Sequence, residues 1–321
     1  MQWLYGILGF VIAEVIATYG RHLLVRDSAG TQYRARPLGR KLEIVCGDRV
    51  ECDFHNGETL VSGTTPRATF LRRSTLRGRS EPLAANLTQL AVVVAPLPAP
   101  DLFLTDRYLC AAECAGLAAM ILANKFDLPG AAELSAALEP YVALGYPVIT
   151  TTTSAPEDPS RPEHEDLRAL QAALRDNTTI LVGQSGVGKS SLTRLLTPDA
   201  ADIAIGELMR EEEGRHTTTV SRLFDCSGGG RIMDSPGVRD FAPAIDDLEF
   251  TTLGFREVAR LAPECRFLDC RHMHEPACAV RAAVEAGRMD ARRYESYRRL
   301  RRLFEQLWEQ RPERERAARP R

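Results

Sequence analysis

The 321-residue sequence lacks an excess of either charge: 41 Lys plus Arg stand against 43 Asp plus Glu, a net charge of −2. That excludes a uniformly basic nucleic-acid coat and leaves room only for local basic patches. A long apolar run is missing too. The uncharged stretch at the start ends at Ala13, well short of the roughly 20 apolar residues a spanning helix needs. It has neither a basic n-region nor a clear cleavage site, so the expectation is a cytoplasmic protein without a signal peptide and with no membrane partner. Lysine is nearly absent, with only Lys41, Lys125 and Lys189 in an Arg-rich chain.

What is present suits a folded, multidomain chain. Apolar residues make up 44% and charged ones 26%, enough for a sizeable core, and the length allows two or three domains. Of the eight cysteines, Cys46, Cys52, Cys110, Cys114 and Cys226 are scattered among apolar neighbours, whereas Cys265, Cys270 and Cys278 cluster beside histidines. In a reducing compartment such clusters are more often metal ligands than disulfides.

Residues 8–80 read as short strands, VIAEV, HLLVRD, TQYRARP, GDRVECDF and ETLVSG, separated by turn residues, the pattern of a small β-barrel. Its exit, Arg67 to Arg79, carries five arginines and no acid. A charge run of this kind is ordinarily a solvated face. From Leu87 the texture changes to buried apolar strands alternating with amphipathic segments, which predicts a parallel sheet covered by helices. This α/β region ends soon after Phe241. The remainder looks helical except for the Cys/His cluster, and its last 34 residues hold 12 Arg against 6 acids. The predicted division is a barrel over 1–80, an α/β domain over 81–243 and a helical metal-binding domain over 244–321.

The strand TTILVG runs into Gly183-Gln184-Ser185-Gly186-Val187-Gly188-Lys189-Ser190-Ser191, a G-x-x-x-x-G-K-[ST] loop between strand and helix. Glycines let backbone N–H groups close around phosphates at a helix N-terminus, Lys189 reaches the β/γ oxygens and the Ser190 hydroxyl ligates Mg²⁺. The base is indicated by Asn124-Lys125-Phe126-Asp127, an N-K-x-D at the end of an apolar strand. A carboxylate there can accept both the N1–H and the exocyclic N–H of guanine, a pair adenine does not offer, with Asn124 and Lys125 bracing the ring and the phosphate loop. That selects GTP, and two of the three lysines fall at these two motifs, where a compact ammonium suits better than a guanidinium.

Asp234-Ser-Pro-Gly237 matches D-x-x-G, with Asp234 holding Mg²⁺ through water and the Gly237 N–H sensing the γ-phosphate. Gly214-Arg-His216-Thr217-Thr218-Thr219 is a polar loop able to place Thr217 or Thr218 on Mg²⁺. The order of these motifs is permuted: Asn124 precedes Gly183 by 59 residues, whereas in Ras-like GTPases the guanine motif follows the phosphate loop. Permutation is tolerated because domain termini often lie close together. It leaves the second switch near the domain's end, so that loop movements feed into whatever follows. Val238 stands where Ras-like enzymes carry the water-orienting glutamine. Slow intrinsic hydrolysis follows, with His216 or a partner's group supplying the positioning.

Cys265, Cys270, His272 and Cys278 form C-x4-C-x-H-x5-C, a donor set suited to a closed, tetrahedral, structural Zn²⁺. His274 is an alternative to His272. Downstream, Arg292, Arg293, Tyr294, Tyr297, Arg298 and Arg299 interleave cations with aromatics, either an RNA-facing surface or an ordinary amphipathic helix.

These strings resemble the circularly permuted GTPases of bacterial small-ribosomal-subunit biogenesis, the RsgA or YjeQ family. The likeness runs through GRKLEIVCGDRV, LAANLTQLAVVVA, DRYLCAAE, NKFD, GQSGVGKSSL, GRHTTT, DSPGVRDF and CRFLDCRHMHEPACAV. It implies an N-terminal OB-fold barrel that binds RNA, a permuted GTPase domain and a C-terminal zinc domain. Such a protein docks in its GTP state on the nearly mature 30S subunit and its rRNA and hydrolyses GTP to GDP on stimulation by the subunit. Hydrolysis promotes its own release and that of assembly factors. The resemblance also makes Cys265, Cys270, His272 and Cys278 the zinc ligands and His216 the proposed catalytic histidine; a monomer is expected. Two departures stand out. The family's guanine loop falls near Thr151 to Ser154, where TTTTSAPEDPSRPEHED is longer and more acidic, and the glycine usual before the last zinc cysteine is Ala277.

Overall fold

The computed structural model describes residues 11–20, 22–39, 42–55, 57–75, 79–152, 163–197, 221–234, 241–244 and 246–311. The first five strands, β1 (Val11–Tyr19), β2 (His22–Asp27), β3 (Gln32–Pro37), β4 (Arg49–His55) and β5 (Glu58–Thr64), pair in the order β1-β2-β3-β5-β4, and β4 returns to β1. This is the closed barrel of the OB type. Alternating residues fill it: Ala13, Val15, Leu23, Val25, Ala35, Val50, Cys52 and Val61.

A bulge at Ile16 breaks that alternation. Val15 pairs with Val25 and Ala17 with Leu24, so one extra residue is inserted in β1. Before the bulge the inward residues face the barrel; beyond it Ile16, Ala17 and Tyr19 pack into the core of the next domain. One strand thus serves two cores.

The α/β domain is built on β8 (Gln89–Val94), β9 (Ala118–Ala123), β10 (Val148–Thr150), β11 (Thr178–Val182), β12 (Ser221–Asp225) and β13 (Arg231–Asp234), in the order β10-β9-β8-β11-β13-β12. All its pairs are parallel except that with β12, which runs antiparallel to β13 and continues the sheet into β1. The strands are apolar throughout because both faces are covered. Leu90, Val92 and Val94 face α1 (Leu102–Cys114) and α2 (Ala131–Ala143); Ala91 and Val93 face α3 (Glu163–Leu174) and α4 (Lys189–Leu196). Between barrel and sheet lies a hairpin, β6 (Phe70–Ser74) and β7 (Ser80–Ala85).

The C-terminal unit comprises α5 (Arg256–Leu261), a 3₁₀ turn (Ala262–Glu264), α6 (Ala279–Glu285) and α7 (Ala291–Glu309) around Phe255, Val258, Val280, Tyr297, Leu300 and Phe304. The Arg/Tyr series after the metal cluster lies on a single 19-residue helix from Ala291. The series points both ways. Arg293 and Tyr297 are buried, while Arg299 is exposed and Arg298 lies between. The arginines at the barrel exit are also largely committed: Arg67 pairs with buried Asp48, Arg72 with Asp247 and Arg73 with Glu81. No helix among the described residues is long and apolar enough to cross a membrane.

Candidate active site and metal centre

The loop from Gly183 to Gly188 leaves the C-terminal end of β11, at the centre of the parallel sheet, and enters α4 at Lys189. Strand ends of this kind present loop backbone to ligands. Two of its glycines are dictated by neighbours. A Cβ on Gly183 would lie 2.2 Å from the Val93 carbonyl oxygen, and one on Gly188 2.3 Å from Asn124 Nδ2, at φ of +136° and +99°. Val187 is buried in the core beneath the loop, whereas Ser185, Gly186, Ser190 and Ser191 are exposed at its mouth.

The guanine motif lies directly against this loop. Asn124, fully buried at the end of β9, donates from Nδ2 to the Val187 carbonyl at 2.8 Å, and Lys125 Nζ donates to the Gly186 carbonyl at 2.6 Å. Segments 63 and 61 residues apart in sequence are therefore locked together, as a permuted nucleotide site requires. Asp127 follows on the exposed side.

Thr151 completes the Asn124 pocket: its Oγ1 donates to Asn124 Oδ1 at 3.0 Å, its N–H to the Ala123 carbonyl, and its carbonyl accepts from Phe126 N–H. Of the 151–154 stretch, which in sequence is only a longer and more acidic loop, residues 153 and 154 lie outside the described residues. Thr151 fixes which way the Asn124 amide faces, and a threonine run gives no signal of that. Gln184 is a second residue whose role the motif did not indicate. Its side chain accepts from the Asp101 N–H at 2.9 Å and donates to the Ala99 carbonyl, tying the phosphate loop to the start of α1.

Lys189 is 9% exposed, and its ammonium donates to the carbonyls of Gly183 and Gln184 at 2.9 and 2.7 Å. Burial lowers its pKa, and Asp234, at the end of β13, opposes that shift; burial likewise raises the Asp234 pKa against the pull of Lys189. Each charge holds the other in a partly dry site. Lysine, phosphate loop and D-x-x-G aspartate therefore share one sheet edge. His216, Thr217, Thr218, Gly237 and Val238 lie outside the described residues.

In the C-terminal unit, the donor atoms of Cys265, Cys270, His272 and Cys278 all lie within 4.8 Å of one another. His272 Nδ1 stands 3.5 Å from Cys265 Sγ and 3.4 Å from Cys278 Sγ, and the two sulfurs are 4.0 Å apart. His274 is exposed and not among the four. Burial pushes the Cys270 thiol up to about 12 and His272 down to about 4, so both disfavour their charged forms in the bare pocket. Three sulfurs, those of Cys270 and Cys278 buried and that of Cys265 half-buried, crowded around a neutral imidazole nitrogen are the donor set of a tetrahedral soft-metal site.

Glu275, which the spacing did not single out, shapes this loop. Its carboxylate accepts from the N–H groups of Arg271, Met273 and His274 at 2.9, 2.9 and 3.0 Å. Those bonds outweigh its partial burial and hold its pKa down at about 2. They also fold the turn on which His272 adopts a φ of +56°.

With this geometry in place, comparison with known proteins is consistent. The family model for the RsgA GTPase matches residues 64–243. The small ribosomal subunit biogenesis GTPases RsgA of Pseudomonas fluorescens strain SBW25 and Azotobacter vinelandii are 39% and 40% identical to this chain, over 90% and 89% of it and 83% of each relative. Among solved structures, YjeQ from Thermotoga maritima superposes with a TM-score of 0.68 at 26% identity, covering 93% of this chain and 98% of that one. YloQ, a circularly permuted GTPase, gives 0.66 at 25%, covering 97% and 99%. With a family model over more than half of its length and relatives at about 40% identity over most of both chains, the chain belongs to the RsgA GTPase family of GTP hydrolases.

Proposed function

We propose that this chain is a ribosome-dependent GTPase acting late in maturation of the small (30S) ribosomal subunit, the process for which its relatives are named. The observation that carries the reading is the contact of Asn124 and Lys125 with the carbonyls of Val187 and Gly186, which joins guanine recognition to the phosphate cradle. Asp127 accepts the guanine N1–H and exocyclic N–H, while Asn124 and Lys125 brace the ring and the loop. The N–H groups along Gly183, Gln184, Ser185, Gly186, Val187 and Gly188, continuing into Lys189, Ser190 and Ser191, cradle the phosphates. Ser190, Asp234 and Thr217 or Thr218 would hold Mg²⁺, which supplies charge neutralisation on the β/γ oxygens.

Hydrolysis forms a bond between water oxygen and Pγ and breaks the bond from Pγ to the β,γ-bridging oxygen. GDP leaves and the water proton passes to phosphate. Lys189 moves its donors from the loop carbonyls to the phosphate oxygens and stabilises the charge developing there. The Gly237 N–H reads the γ-phosphate, and His216 orients the attacking water, because Val238 offers no hydrogen bond. The division into a barrel over 1–80, a GTPase domain over 81–243 and a metal-binding domain over 244–321 gives the subunit two platforms to engage. Cys265, Cys270, His272 and Cys278 hold a structural Zn²⁺ that contributes folding energy to the last of them. The chain works as a cytoplasmic monomer, docking on rRNA in the GTP state and leaving, along with assembly factors, after hydrolysis.

The test is GTP and ATP turnover by purified protein, with and without small subunits, at a fixed low salt because phosphate contacts are salt-sensitive. Stimulation confined to GTP and small subunits is expected, and Asp127→Asn should abolish the preference for guanine. Slow GTP turnover that subunits leave unchanged would reduce the protein to a GTP-binding module.

A further inference from the structure

Helix α7 carries a cation with no obvious reason to be inside. Arg301 is 0% exposed, yet among the described residues no carboxylate lies within ion-pair distance of it. Its Nη2 donates to the carbonyls of Phe250 and Thr251 and to the Tyr297 hydroxyl at 2.5, 3.0 and 2.7 Å, while Nε and Nη1 are buried without a hydrogen-bond partner. The nearby acids are engaged elsewhere. Glu249 is held by Thr251 and Thr252, Glu275 by the backbone of the Cys270–His272 turn, and Glu257 by Arg293. The rings of Phe250, Tyr297 and Phe304 surround the guanidinium at 5.2, 5.5 and 5.8 Å, which eases its burial without neutralising it. A buried charge without a counter-charge is costly enough that one is to be expected.

The metal cluster is the group in reach. The Tyr297 hydroxyl, which accepts from Arg301, donates to the Arg271 carbonyl, between Cys270 and His272, at 2.9 Å, and the Tyr297 ring lies 5.8 Å from the His272 ring. A divalent ion held by three thiolates and one neutral imidazole carries a net charge of −1. We infer that Arg301 is the counter-charge of this metal–thiolate cluster, stabilising the anionic Cys3His complex and, through Tyr297, the turn that presents Cys270 and His272. Arg301 is a positioning residue, since it touches neither metal nor ligand atom.

The inference rests on the zinc reading above, and zinc stoichiometry of the purified wild-type chain separates the two: a chain that binds no zinc defeats both, whereas one zinc bound with an affinity that ignores Arg301 defeats the role of Arg301 alone. With one zinc bound, affinity is measured by competition with a chromophoric chelator in wild type, Arg301→Met and Arg301→Gln, each also carrying Cys265→His. That second change keeps four donors but makes the zinc complex neutral. Removing Arg301 should weaken zinc binding tenfold or more in the Cys3His protein and by less than about threefold in the Cys2His2 background, a coupling between the two sites. Arg301→Gln keeps a donor for Tyr297 without the charge and should resemble Arg301→Met. Equal loss in both backgrounds, or zinc affinity unchanged by either substitution, would overturn the proposal. Phe304→Leu serves as the packing control and should lower the melting temperature without this dependence on cluster charge.

Discussion

On its barrel side the central sheet is continued by backbone hydrogen bonds between β1 and β12, whereas on its C-terminal side it is held by side chains buried around Arg293. At the barrel junction Arg26 bridges Asp225 and Glu14, and Arg231 pairs with Glu14, but the Asp225 side chain is 62% exposed and water competes for every pair. At the other junction the Arg293 fork binds both oxygens of Glu257 at 2.7 and 2.9 Å and also Asp106 of α1. Tyr141 of α2 donates to the same Asp106 carboxylate at 2.6 Å, and Arg292 reaches its other oxygen. A backbone joint spreads its stability over many groups, while a buried ionic joint concentrates it in one residue. The two neighbours of the GTPase domain should therefore fail in different ways.

The largest effect is expected at Arg293. Replacing it by Met leaves Asp106 and Glu257 buried with their main counter-charge gone, a situation that costs roughly 3–5 kcal/mol. Equilibrium denaturation should show that loss, and with it separate melting of the C-terminal unit as its hold on α1 and α2 weakens. A cost below about 1 kcal/mol would mean that the network is hydrated and the contrast between the joints is false. The triple Arg293→Met, Glu257→Leu, Asp106→Leu should recover much of the stability, because apolar side chains of similar size tolerate this burial.

Breaking the barrel joint calls for backbone interference instead. Gly47 sits at φ +89°, its N–H donates to the Val15 carbonyl, its own carbonyl accepts from Asn86 Nδ2, and an added Cβ would meet the Ala85 carbonyl oxygen at 2.1 Å. Gly47→Ala should cost about 1–3 kcal/mol from backbone strain and displaced packing. Arg26→Met at the same junction should cost about 0–1 kcal/mol, as exposed ion pairs do. Melting temperatures of the two variants decide the matter, and the reverse order would show that side chains rather than backbone hold the barrel.

How much of this was legible in the sequence differs between the same regions. The barrel and the α/β layers could be read because alternation, and its disappearance in β8 and β11, is a direct record of which faces are covered. The phosphate loop, its contact with the N-K-x-D segment and the gathering of three cysteines with His272 could be read because each rests on a short string whose spacing encodes geometry. Burial of individual arginines could not. Arg293, Arg299 and Arg301 are equivalent in composition and spacing, yet two are interior and one is 57% exposed, and only the packing of α7 against α1 and α5 decides which. The bulge at Ile16 and the brace from Thr151 to Asn124 were invisible for a related reason: each depends on a partner strand or loop distant in sequence. Glu275 gave a faint signal, a lone acid inside a metal loop, which only the three N–H bonds make intelligible.

The smallest effect belongs to a third contact, where the end of α7 returns to the hairpin. Arg311, 6% exposed, bonds both oxygens of Asp246 at 2.6 and 2.7 Å, and Ser80 of β7 donates to the same carboxylate. The bond from Arg311, opposed by partial burial and assisted by Ser80, lowers the Asp246 pKa below its ordinary 3.8. A carboxylate with a lowered folded-state pKa adds stability above its unfolded value and loses it as pH falls through the folded one. Asp246 is itself partly exposed, so the contribution is expected to stay below about 1 kcal/mol. Melting temperature measured from pH 7 to pH 2.5 should show Arg311→Met less stable than wild type at neutral pH, with the gap closing below about pH 4 as the carboxylate protonates in both. A gap constant across that range would assign Arg311 to packing against Trp308, 5.3 Å beneath its guanidinium, rather than to charge. The charge that pins the C-terminal unit to the rest of the chain would then lie mainly around Asp106, Glu257 and Arg293, and the contrast between the two joints would sharpen.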